Sequence, residues 1–180
     1  MGANLQDAPL AGCTGVLDHP TIKFARMLDY MKEEHAELRD QLVAIADRAA
    51  EIREGAVPDD GLRWMMARLA ERVRSLHEQV ARHARDEDDI LVPTVRLYAD
   101  DDMAALEKKA AVMERASGMF RAFLDLTDDC LKAPCRKKAG EAAQSLLEAC
   151  TCLKRLFAEE ADTLYPLAEE IIEDIDYLSS

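Results

Sequence analysis

Two polar side chains stand where a helix should present core residues. Leu62, Met66, Leu69, Val73, Leu76, Val80, His83, Glu87 and Ile90 fall on one stripe at heptad spacing, so His83 and Glu87 point into whatever that helix packs against. An ionised Glu in an apolar seam costs several kcal/mol unless it is paired or bound to a metal. His-x-x-x-Glu sets two donors on one face, within reach of one ion. Upstream, Phe24, Leu28, Met31, His35, Leu38, Leu42, Ile45, Ala49 and Ile52 make a similar stripe with His35 inside it. Near the C-terminus, Ala142, Leu146, Ala149, Leu153, Leu156, Glu160, Leu164, Leu167 and Ile171 bring Glu160 inward and leave Glu159 off the seam. Two imidazoles and two carboxylates from three helices suit Fe(II), Mn(II) or Zn(II), and are too nitrogen-rich for calcium or magnesium. Zinc would be complete with these four, whereas an octahedral iron would keep about two positions for water or a small diatomic ligand. Without a metal, His35 and His83 could carry protons and pair with Glu87 and Glu160.

These residues need long helices to position them. The first stripe runs from an entry at Asp18-His19-Pro20 to a loop at residues 55–61, and the His83 helix follows as far as Pro93. Asp100-Asp101-Asp102 suits the positive end of a third helix, whose stripe reads Leu106, Ala110, Met113, Ser117, Phe120, Leu124 and Leu131. Ser117 takes its polar slot, and Glu114, one residue past Met113 and so about 100° round the helix from the stripe, could bend inward in its stead. Residues 132–140 form the last loop. The expected fold is all-α: an antiparallel up-down four-helix bundle over residues 19–180, preceded by an N-terminal arm over 1–18 with no period and no assigned chemistry. His77, about 240° round from His83, reads as a flank residue, and Met31 and Met113 as packing.

Composition bounds the function. The chain has 36 acidic against 23 basic residues, a formal net charge of −13, which repels nucleic acid and anionic lipid and favours cations. Five Cys (Cys13, Cys130, Cys135, Cys150, Cys152) include no C-x-x-C pair. They read as reduced thiols of a cytoplasmic protein rather than a zinc or haem site. No apolar run reaches the ~20 residues of a membrane span, and the N-terminus lacks the pattern of a secretion signal.

An internal repeat ties the stripes together. Glu87, Asp89, Leu91 and Pro93 fall on Glu160, Asp162, Leu164 and Pro166, a register that sets Leu156 on His83 and Cys150 on His77. Met31, His35, Leu38, Arg39 and Leu42 fall on Met113, Ser117, Phe120, Arg121 and Leu124. Two repeated helical hairpins place ligands from facing helices at one centre. The absence of any Glu-x-x-His disfavours a ferritin-like site.

Glu34-His35-Ala36-Glu37-Leu38-Arg39, His83 to Glu87 with Pro93, and Glu160 to Pro166 resemble the motifs of the hemerythrin-like, or HHE cation-binding, family, over about residues 20–178. The resemblance implies a bundle holding iron, one or two ions, through histidines of all four helices and two carboxylates that bridge them. Carried over, it retains His35, His83, Glu87 and Glu160 as metal ligands and finds Ser117 and Leu156 where the third- and fourth-helix histidines are expected. It therefore implies one complete half-site, mononuclear, with zinc or manganese as other possible occupants. The function expected is binding or sensing of oxygen, nitric oxide or the metal, since no separate acid, base or substrate pocket can be named. The competing expectation is a metal-free bundle that serves as a protein-interaction module.

Overall fold

The computed structural model describes residues 20–98, 103–133 and 135–178. The N-terminal arm, His19, Cys13, the Asp100–Asp102 cap and the side chain of Leu106 lie outside them. Helix α1 spans Pro20–Arg53 and α2 spans Asp59–Asp86. A π-helical turn, Glu87–Leu91, leads into the short α3, Val92–Tyr98, and then come α4, Met103–Lys132, and α5, Arg136–Leu178. The four long helices pack as a ring, α1 on α2, α2 on α4, α4 on α5 and α5 on α1. The described residues contain no strand. This is the antiparallel four-helix bundle expected from the stripes.

The turn between α1 and α2 follows from local chemistry. Gly55 takes φ +74°, its N–H reaches the Ile52 carbonyl at 3.2 Å and that of Ala56 reaches Glu51 at 3.0 Å. This is the Schellman ending that glycine permits without a Cβ clash. Arg136, at the start of α5, donates to the Val57 carbonyl at 2.7 Å and to Asp59, fastening this loop to the other hairpin.

The core is divided in two. The larger cluster runs from Leu38 and Val80 to the loop end at Val57 and Leu62, and includes Phe120, Phe123, Leu146 and Phe157. The smaller holds Leu28, Met31, Leu91, Val95, Tyr165, Ala168 and Ile171. Between them lies a layer of ionisable side chains.

Three stripes need correction. On α4 the buried residues are Lys109, Ala116, Phe120, Phe123, Thr127 and Cys130, while Ala110 is exposed and Met113, Leu124 and Leu131 are half-buried. The seam is displaced by one residue from the expected one. On α2 the inserted residue of the π turn replaces Ile90 by Leu91 as the fully buried position. Pro93 has no N–H to donate to Asp89, and widening the preceding turn accommodates that loss. On α5, Tyr165 and Ala168 are buried where Leu164 and Leu167 were expected.

Candidate metal centre

Glu34 and His35 of α1, His83 of α2, Glu87 of the π turn, Lys109 of α4 and Glu160 of α5 make up the polar layer, all of them buried. The four residues singled out by the stripes meet as two pairs. His35 Nε2 lies 3.3 Å from Glu160 Oε2, and His83 Nε2 lies 3.3 Å from Glu87 Oε1. The two imidazoles stack with centroids 5.4 Å apart, and the Phe157 ring closes their edge at 4.3 Å from His35 and 6.0 Å from His83.

Three further residues complete the layer. Glu34 Oε2 lies 3.0 Å from His83 Nδ1, and its other oxygen accepts from Arg82 at 2.7 Å. A carboxylate on Nδ1–H turns the lone pair of Nε2 towards the centre and makes it a better donor. Lys109 Nζ donates to Glu87 Oε2 at 2.7 Å and to Asp88 at 3.2 Å, and stands 3.8 Å from Glu160 Oε1. The Tyr165 hydroxyl donates to Glu87 Oε1 at 2.8 Å.

Charge follows these contacts. Burial disfavours the His83 imidazolium, but Glu87 and Glu34 outweigh it and raise its pKa above the ordinary value. Burial would raise Glu87, yet His83 and Lys109 hold it well below the usual carboxylate range. Glu160 moves the other way, raised by burial and by the charge of Glu87, with His35 and Lys109 offsetting only part. Lys109 is raised despite burial, because Glu87 and Glu160 face it.

Sequence reasoning missed these three for different reasons. Glu34 sits beside His35 but off its stripe. Lys109 vanished with the register of α4: Lys109, Met113, Ala116, Phe120, Phe123, Thr127 and Cys130 also keep heptad spacing, but only by placing a charge in the seam. Two inward carboxylates were the available signal that an inward cation was needed. Tyr165 lies next to the residue chosen for the seam.

Ser117 does not reach the layer. Its Oγ lies 2.8 Å from His77 Nε2, and His77 packs on Phe120 at 5.5 Å between centroids. Glu114 is exposed and does not bend inward. Leu156 is buried and offers no donor atom. Cys130, Cys135, Cys150 and Cys152 are free thiols, and burial pushes Cys150 up to about 12, leaving it protonated.

Do these donors fit a metal? His35 Nε2, His83 Nε2 and both Glu160 oxygens are buried without a hydrogen-bond partner among the described residues, which is costly for groups of this kind. Bonds of about 2.1 Å put neighbouring ligands of one ion about 3.0–3.4 Å apart, and both imidazole–carboxylate pairs have that spacing. Donor type, the missing hydrogen bonds and the spacing within each pair therefore suit an ion. The two pairs are not drawn in around a single point: among the described residues no group of three or more His, Cys, Asp or Glu is arranged to hold a metal.

The family model of the hemerythrin HHE cation binding domain matches residues 26–168, which reach into all four long helices. The chain belongs to this family. No curated protein and no solved structure matches it. No helix among the described residues is long and apolar enough to cross a membrane.

Proposed function

From its membership of a cation-binding family, we propose that this protein binds a single metal ion, iron in the first instance, through His35, His83, Glu87 and Glu160, and serves in binding or sensing oxygen, nitric oxide or the metal itself. The observation that carries this reading is the set of buried atoms on His35, His83 and Glu160 that make no hydrogen bond and meet only as imidazole–carboxylate pairs, with His83 already oriented by Glu34. A redox-active ion here would supply open positions and electron-transfer chemistry for a small ligand. The chain's own residues do the rest: Glu34 orients His83, Tyr165 and Lys109 hold Glu87 in place, and Phe157 excludes water from the imidazole edges. An open pocket of about 230 Å³ has His35 in its lining, with Lys32, Arg39 and Tyr165.

The test is elemental analysis of protein purified without added metal or a metal-binding tag, beside His83→Ala. The proposal expects iron, or zinc or manganese in its place, at up to one ion per chain, lost in the variant. Two ions with an oxo-bridged absorption spectrum would overturn the single-ion reading. A second reading, a metal-free bundle acting through protein association, is favoured by Lys109, a cation already seated among the carboxylates. A folded protein that takes up no metal would decide for it.

A further inference from the structure

The two carboxylates of the layer face two ways. Glu87 turns Oε1 to His83 and Tyr165 and Oε2 to Lys109; Glu160 turns Oε2 to His35 and Oε1 towards Lys109. Each thus spans from an imidazole on one side to the same ammonium on the other, as a carboxylate does when shared by two cations. Lys109 is buried deeply enough that its charge is not spread into water, and Asp88 is its third oxygen partner. Among the described residues Lys109 faces Glu87, Asp88 and Glu160 and no histidine, while Phe157 lies against the imidazoles and Ser117 against His77.

We infer that Lys109 is a resident cation that takes the place of a second metal ion in this centre and limits the centre to one ion. Glu87, Glu160 and Asp88, the three carboxylates that face Lys109, together carry three negative charges, of which the ammonium neutralises one; Glu34 is held by Arg82. One divalent ion on the imidazole side then leaves the layer close to neutral, whereas a second would bring an excess of positive charge into a low-dielectric site. The ammonium also competes with the first ion. It repels any cation on the imidazole side, so the affinity of the centre is set lower than its ligands alone would make it.

This rests on the metal-binding reading, and the experiment separates the two. Zinc is the probe, because it has no redox chemistry to confuse the count. Titrate the chelator-treated parent, Lys109→Met and Lys109→Arg with zinc by calorimetry, and record thermal midpoints of each. The inference expects Lys109→Met to bind zinc more than about tenfold more tightly than the parent, or to take up more of it, with a larger rise in midpoint on zinc addition. Lys109→Arg should behave as the parent does. If Lys109→Met is unfolded without zinc, the inference requires zinc to restore folding, and failure to do so overturns it. Parent and Lys109→Met binding alike, or Lys109→Arg gaining as much as Lys109→Met, would overturn the role of the charge while leaving the metal reading intact. Binding by Lys109→Met alone would uphold the resident cation and overturn metal binding by the parent. Binding by neither would overturn both.

Discussion

The first hairpin, α1 with α2 and its π turn, brings Glu34, His35, His83 and Glu87 to the polar layer; the second, α4 with α5, brings Lys109 and Glu160. Both follow one plan of paired helices ending in a Glu–Asp–Leu–Pro pattern, yet one supplies both imidazoles and the other an ammonium and an aromatic wall. Duplicated scaffolding does not oblige duplicated chemistry. What the two halves share is charge balance: every carboxylate in the layer faces a cation or an imidazole that can carry a proton.

The most damaging way to break this balance is Glu87→Ala. It strips Lys109, His83 and Tyr165 of their common acceptor at once, and breaking a buried charge pair costs about 3–5 kcal/mol. Denaturant unfolding in the presence of chelator should show a loss of that size; a loss below about 1 kcal/mol, no more than one ordinary hydrogen bond, would mean that the pairs do not hold the layer together.

Within the first hairpin, Glu34→Gln should keep the fold and weaken metal affinity about 10–100-fold, as removal of an orienting partner of a ligating imidazole does. Calorimetric titration compares it with Glu114→Ala, on the exposed face of the second hairpin, which should titrate like the parent. Equal losses would return Glu114 to the centre.

The repeat itself can be tested by Ser117→His. The alignment of hairpins sets this residue on His35, but Ser117 lies against His77, so the substitution should add no metal and cost about 1 kcal/mol for the hydrogen bond lost. Additional bound metal would show that α4 can present this position to the layer.

The smallest effect contrasts two imidazoles of one helix. Burial and the nearby charge of Arg121 lower the pKa of His77 below its ordinary 6.5, so its share of stability is present above that pH and is lost as pH falls below it. His83, raised by its carboxylates, contributes in the opposite sense: present below 6.5 and lost as pH rises through the folded value. Stability measured against pH in chelator should therefore fall less steeply below 6.5 in His77→Gln than in the parent. An unchanged slope would mean that His77 titrates as it does in the unfolded chain.

Much of this is legible in the sequence itself. On α1 and α2 the stripes were read almost residue for residue, because large aliphatic residues recur without a competing register and His35, His83 and Glu87 interrupt them visibly. On α4 two registers differ by one position, and only tertiary packing of Phe123 and Thr127 decides between them. The register without a charge in the seam leaves Lys109 out. Past Glu87 and past Glu160 the phase also changes, since a π turn, or a proline within a helix such as Pro166, disturbs regular periodicity. Pairings such as His83 with Glu34 depend on how two helices face each other, which no single stripe encodes.

The division of the core by the polar layer carries a dynamic consequence. The small cluster of Leu28, Met31, Leu91, Val95, Tyr165, Ala168 and Ile171 has far fewer buried residues than the large one and is separated from it by the polar layer. Such an end opens locally at lower cost than the rest of the domain. An ion that draws His35, His83, Glu87 and Glu160 together would clamp the base of that end, because Tyr165 and Leu91 lie within a few residues of the ligands on the same helical runs. Occupancy of the centre would then be read as slower amide exchange at the far tip of the bundle, a change of stiffness at a distance from the ion.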